Sequence, residues 1–271
     1  MAVEGKILNK RIRFFLSTGF LQGLWLVVVK LVPFEFKYLT LFFLAVVIVF
    51  VYSLALRISW KEKGLIAKMW PVYVLPILFF WGWAMFIFLF DSWLIVILAS
   101  FLFFLVNYVI LLVDNLFLVT VSYKAIPLYR TASSVNLLLV LSSSFLLFDV
   151  FGSFYLPFWL LASLVFVVVC LFLTYLFWSV SLVESGLEWR DWQSYPLVAG
   201  LLVFEFAVVL SWWPVGIFLR SVYLMLALYV LAVLMQHDLR GRFFKKTWRE
   251  ILWVGLGALI GLFLVTRWRA F

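Results

Sequence analysis

The chain has 271 residues, 68% of them hydrophobic and 21% aromatic, with a mean hydropathy of +1.22. Only 12% are charged, about half the share of a soluble domain, which excludes soluble globular, disordered and collagen-like classes; a transmembrane β-barrel, with its strict apolar–polar alternation, is excluded too. The formal charge of +9 would suggest nucleic acid in a soluble protein, but in a chain this apolar it fits positive charge gathered on cytoplasmic loops.

The remaining class is an all-α, polytopic transmembrane helix bundle. A bilayer core of roughly 30 Å needs about 20 apolar residues per helix. Lys6, Lys10, Arg11 and Arg13 precede the apolar run 14–32. That run is too long for a signal-peptide h-region and no A-x-A site follows it, so it reads as an uncleaved first helix. Cutting at charges, prolines and turn clusters predicts further spans at 38–56, 71–90, 92–113, 135–156, 157–182, 196–212, 214–236 and 251–266, nine in all. Asp91 alone separates the third span from the fourth, and Trp213 with Pro214 the seventh from the eighth, so both pairs are read as antiparallel hairpins. The chain shows no internal repeat and no separate soluble domain, and 1–271 reads as a single integral membrane domain.

Charge sets the orientation. Sixteen of the 21 Lys and Arg residues fall in the N-terminal tail and in 57–70, 122–134, 183–195 and 237–250, against three on the opposite side, Lys37, Arg267 and Arg269. The positive-inside rule then places the N-terminus in the cytoplasm and the C-terminus outside. Two cytoplasmic connections are too apolar for free loops. The stretch within 114–134 reads as an extension of the fourth helix that turns into an interfacial segment broken by Pro127. The segment 239–250 interleaves Phe243, Phe244 and Trp248 with Arg240, Arg242, Lys245, Lys246 and Arg249. Such a segment suits an anionic lipid surface, or serves as an ordinary positive-inside anchor.

Ionisable groups deep in a membrane are costly and are functional candidates by default. Glu205 in the seventh span and Arg220 in the eighth are equidistant from the Trp212–Trp213 midpoint, so equal depth and an intramembrane ion pair are expected. Asp149 lies in the fifth span above Ser142, Ser143 and Ser144, with Lys30 or Lys37 as expected partners; that face reads as a hydrophilic path or as close helix packing. A looser cytoplasmic polar set comprises Asp114, Asn115, Lys124, Arg130, His237 and Arg240, either a phosphate or headgroup site or interface polarity. His237 is the one histidine and Cys170 the one cysteine, so bis-histidine haem, H-E-x-x-H zinc and disulfide chemistry are excluded. No P-loop, Rossmann or nucleophile-elbow pattern occurs, and no cofactor or metal site is expected. Gly19–Gly23 and Gly257–Gly261 are G-x-x-x-G pairs, read as intramolecular packing.

Several of these segments carry a resemblance. Asp114-Asn115-Leu116-Phe117 leads to Leu128-Tyr129-Arg130-Thr131-Ala132, and Leu156-Pro157-Phe158-Trp159, Trp178-Ser179 and Trp212-Trp213-Pro214-Val215 follow. Gln236-His237, Phe244-Lys245-Lys246-Thr247 and Arg249-Glu250 complete the series. Over residues 110–255 the chain resembles an uncharacterised multi-pass membrane protein family of small-genome candidate-phyla bacteria. The resemblance implies a helical plasma-membrane protein and no particular activity. The sequence therefore favours a non-catalytic membrane component or complex subunit, with the lipid bilayer, anionic headgroups and other membrane proteins as partners and no nucleic acid. The alternative is a transporter or lipid-handling protein that uses Glu205, Arg220 and Asp149. A membrane-embedded enzyme would need the cytoplasmic polar set to converge.

Overall fold

Hydrocarbon offers no hydrogen bonds, so a backbone crossing it must satisfy its own N–H and C=O groups, and an uninterrupted apolar stretch does so as a helix. The computed structural model describes residues 2–58, 69–90, 92–123, 126–182, 187 and 189–241, with 249, 253, 255–258, 260–261, 263–264 and 266 beyond them. All regular structure among these residues is helical. The elements are α1 (Ala2–Lys30), α2 (Phe34–Leu56), α3 (Val74–Ile87, entered through the 3₁₀ turn Trp70–Tyr73), α4 (Trp93–Tyr123) and α5 (Ile126–Ser153). There follow α6 (Phe158–Ser181), α7 (Ser194–Trp212, entered through the helical turn Trp189–Trp192) and α8 (Ile217–Leu239). These give eight helices long and apolar enough to cross a membrane. The expected ninth span, 251–266, is described only in pieces, and Asp91 lies outside the described residues.

Proline starts these helices. Pro33 and Pro157 are the N-cap residues of α2 and α6, with φ of −56° and −54°. Pro127, where the sequence suggested a break, is the second residue of α5. α4 runs on to Tyr123, and α5 begins at Ile126. A first-turn residue has no intrahelical partner for its N–H, so proline is tolerated there and sets the right φ.

The chain forms two compact units, Met1–Leu139 and Val140–Phe271, with the boundary inside α5. In the first unit Phe103 of α4 is the centre of an aromatic core. Trp25 of α1 stacks on it at 5.5 Å, Phe79 of α3 stacks at 5.5 Å, and Phe80 meets it edge-on at 5.6 Å. Toward the opposite end of α1 and α2, the ammonium of Lys30 lies 4.3 Å from the Trp93 ring centroid and that of Lys37 4.4 Å from Phe88.

In the second unit α6 and α7 meet through small residues. Ala199, Gly200, Val203 and Ala207 are buried, and a Cβ on Gly200 would fall 2.5 Å from Cys170 Sγ and 3.0 Å from the Phe166 ring. The far half of α5 packs on α8 in the same manner, where a Cβ on Gly152 would lie 2.8 Å from Ile217 Cγ2. Close backbone approach through small residues is how helices associate without a hydrophobic drive between them. The G-x-x-x-G pairs do not play this part: Gly19, Gly23 and Gly257 have open space where a Cβ would stand, and Gly261 has only the Tyr223 hydroxyl, 3.5 Å away.

Each unit shows side chains to its surroundings that a water-soluble protein would hide. Phe42, Phe43, Val46, Leu94 and Ile97 are exposed in the first, and Leu197, Leu201 and Val209 in the second. Asn107, Asp114, Asn136, Ser143 and Ser144 are buried instead. This distribution is that of a protein solvated by lipid.

Gly200→Val should overpack the α6–α7 contact and destabilise the detergent-solubilised protein by about 1–3 kcal/mol, read as a lower midpoint of thermal unfolding. Gly23→Val, with open space around it, should leave that midpoint nearly unchanged.

Candidate functional site

Three polar residues of α4, Ser100, Asn107 and Asp114, recur every seven positions. Seven residues are just under two helical turns, so all three share one face at steps of about 10.5 Å. All three are buried, and they form a polar seam along the inside of the first unit. Gln22 of α1 donates through Nε2 to Ser100 Oγ at 2.7 Å and to its carbonyl at 3.2 Å. The Tyr52 hydroxyl of α2 donates to Asn107 Oδ1. The Asp114 carboxylate is fully buried and within electrostatic reach of that hydroxyl. Beside the cluster, the hydroxyls of Ser53 and Tyr73 share a hydrogen bond of 2.8 Å.

This seam holds more hydrogen-bonding capacity than the described residues use. Asn107 Nδ2 has no hydrogen-bond partner among them, nor has either amide atom of Asn136, which is fully buried in the first half of α5. An orphaned buried polar group costs about 1–3 kcal/mol. The residues present are an alcohol pair, amides and one carboxylate, and they offer neither a nucleophile–base pair nor a metal set. No three His, Cys, Asp or Glu residues come together among the described residues. The seven-residue spacing of Ser100, Asn107 and Asp114 was the sequence signal for this seam; of its members only Asp114 stands out as a lone charge.

Within the expected cytoplasmic set, Asp114 belongs to the seam. Asn115 beside it is half-buried, and Arg130 is exposed, its carbonyl accepting from Ser134 Oγ at 3.2 Å. These three lie in the first unit. His237 and Arg240 lie in the second. His237 turns Nδ1 back to the Val233 carbonyl, 2.8 Å away, and Arg240 ends α8 with its Nη2 buried and unpartnered among the described residues. Next to them the Tyr195 hydroxyl donates to Asp238 Oδ2 at 2.5 Å, a tie between α7 and α8 that the sequence did not single out. Arg249 is exposed, while Lys124, Arg242, Lys245 and Lys246 fall outside the described residues.

Glu205 and Arg220 do not meet. The turn between α7 and α8 is not symmetric about Trp212–Trp213, because Trp213 and Gly216 are extended (ψ 133° and 160°) and α8 begins only at Ile217. Glu205 lies seven residues from the end of α7, about 10.5 Å along its axis, while Arg220 lies three residues into α8, about 4.5 Å. Helical phase separates them further. The buried face of α7 carries Ala199, Gly200, Val203 and Ala207, and Glu205 is on the exposed stripe with Leu201, Leu202 and Val209. Arg220 is half-buried, its Nε without a hydrogen-bond partner among the described residues.

Asp149 lies in the second unit; Lys30 and Lys37, its expected partners, lie in the first, where their ammonium groups sit on the Trp93 and Phe88 rings. Its Oδ1 accepts from Ser221 Oγ of α8 at a long 3.5 Å, and its carbonyl accepts from Ser153 Oγ at 2.9 Å. Ser144 below it is buried and donates to the Leu141 carbonyl at 2.8 Å.

The Tyr52–Asn107 bond can be weighed by a double-mutant cycle. Tyr52→Phe and Asn107→Leu should each destabilise the solubilised protein by about 1–2 kcal/mol, and the pair should show coupling of about 0.6–1.7 kcal/mol, the range for hydrogen bonds between membrane helices. Strictly additive losses in denaturation would deny the bond its weight.

Comparison with known proteins adds nothing to this geometry: no family model matches the chain, and no curated protein and no solved structure matches it.

Proposed function

We propose that the chain is a multi-pass integral protein of the plasma (cell inner) membrane, a non-catalytic subunit that docks another membrane protein on the Glu205 face of α7. The observation that carries this reading is the position of Glu205: exposed, and flanked on its stripe by exposed Leu201, Leu202 and Val209. A charge at the centre of a lipid-facing helix costs about 2.5–3.5 kcal/mol on insertion scales. No described residue offsets that cost, whereas a partner helix bringing a hydroxyl, amide or cation to the carboxylate would. The transport reading asks for Glu205, Arg220 and Asp149 along one path, but one is on an outer face, one in the first turn of α8, and one against Ser221.

Photo-crosslinkers at Leu201 and Val209 test the docking face in membranes. A discrete adduct should form in the wild type and fall about tenfold with Glu205→Leu, as loss of about 1.4 kcal/mol would give. Glu205→Gln, which keeps hydrogen bonding, should lie between. A chain without adduct, made more stable in detergent by Glu205→Leu, would overturn the proposal.

The orientation proposed has the N-terminus cytoplasmic and Phe271 outside, with 251–266 as a ninth span and 239–250 lying on the anionic inner surface. Sixteen Lys and Arg on one side against three support it. So does the hydrogen bond of 2.6 Å from Trp213 Nε1 to Thr266 Oγ1, which ties the last residue of that span to the α7–α8 turn. Reporter fusions at 125 and 190 should read cytoplasmic, those at 91 and 213 external. A cytoplasmic readout at the C-terminus would remove one span.

A further inference from the structure

The end of α2 carries an arginine in a conformation that glycine ordinarily supplies. Arg57 is left-handed (φ 57°, ψ 41°), with its N–H 3.4 Å from the Leu54 carbonyl and the Ile58 N–H 3.0 Å from that of Ser53. The hydrogen bonds are those of an ordinary helix C-terminus, but a side chain there carries a conformational strain that glycine would not. A second arginine comes to the same place: Arg13 of α1 donates from Nε to the Ala55 carbonyl at 2.8 Å. Lys10 lies one turn before Arg13, on the same face of α1.

Three cations thus converge where α1 begins and α2 ends, and they repel one another. No described acidic side chain pairs with any of them. The C-terminus of α2 supplies about half a negative charge, which one cation already answers. Among the described residues more than two positive charges remain uncompensated, and one of them is held at a conformational cost. Beside the cluster Leu16 of α1 and Leu54 of α2 are exposed, an apolar rim running from the charges toward the hydrocarbon.

We infer that Lys10, Arg13 and Arg57 form a binding site for the phosphate of an anionic lipid headgroup, with the acyl chains lying along Leu16 and Leu54. Basic pockets between membrane helices bind anionic headgroups in this way. Arginine suits the role because its planar fork meets phosphate oxygens in pairs, and Arg13 keeps both Nη groups for that purpose while Nε holds Ala55. The site rests on the membrane reading but not on the Glu205 docking face, and it is separate from 239–250. Free phosphate shares the headgroup chemistry and lacks the chains.

The test uses the full chain in neutral detergent, with thermal unfolding followed as dioctanoyl phosphatidylglycerol, dioctanoyl phosphatidylcholine or inorganic phosphate is added. Phosphatidylglycerol alone should raise the midpoint. Arg57→Gly is the informative variant: relieved of the left-handed side chain, it should match or exceed the wild type in stability without lipid, yet need about five- to tenfold more phosphatidylglycerol for the same rise. Lys10→Gln should weaken the response by a similar factor, and Arg13→Lys, which keeps the charge, by less. An Arg57→Gly protein with undiminished lipid response would overturn the site, and inorganic phosphate as effective as phosphatidylglycerol would overturn the lipid assignment. A chain recovered from the soluble fraction would instead remove the membrane reading itself, so the two failures are distinct.

Discussion

Every feature of this molecule answers to one constraint, the absence of hydrogen-bonding solvent around its middle. Backbone groups close on themselves as helices, and side-chain polarity turns inward. Thr18, Ser53, Thr174 and Ser211 each return a hydroxyl to the carbonyl one turn back, which removes an orphan donor without help from another helix. Where polarity exceeds what a helix can absorb alone, as along α4, it is matched across helices by Gln22 and Tyr52.

The same constraint decides how the helices hold together. With lipid outside as apolar as the core within, burial of a leucine contributes little, and close contact contributes more. The two units solve this differently. The first uses large flat surfaces, with Phe103 held between Trp25 and Phe79. The second uses absent side chains, at Gly200 against Cys170 and Phe166 and at Gly152 against Ile217. Dispersion between well-fitted surfaces serves both.

The existence and order of the helices were legible in the sequence, because twenty apolar residues between charges leave little choice. Their ends were less so: α5 begins at Ile126, where the sequence suggested 135, since Tyr129 and Ala132 are buried and tolerate the charge of exposed Arg130 between them. Depth along a hairpin was read from residue counts, and it failed at Pro214 because the extended stretch 213–216 adds chain without adding helix. Rotation about each axis was not legible at all. Glu205 and Asp114 are both lone carboxylates in apolar runs, yet one is exposed and the other fully buried. The sequence sign separating them is that Asp114 has polar residues seven and fourteen positions before it within its own helix, while Glu205 has Val198 seven positions before it.

That contrast bears on function. A folded chain offsets its local costs internally when it can, as Tyr52 and Asn107 do within one seam. Glu205 and Arg57 are departures of another kind. The carboxylate is exposed on an apolar stripe, and the arginine occupies a glycine conformation beside two further cations. Neither cost is offset by a described group of this chain, and both lie on surfaces open to the surroundings. In the reading proposed above, an uncharged or cationic membrane helix answers Glu205, and a phosphate answers Arg57. The two proposed sites call for ligands of opposite character, so each can be tested without the other.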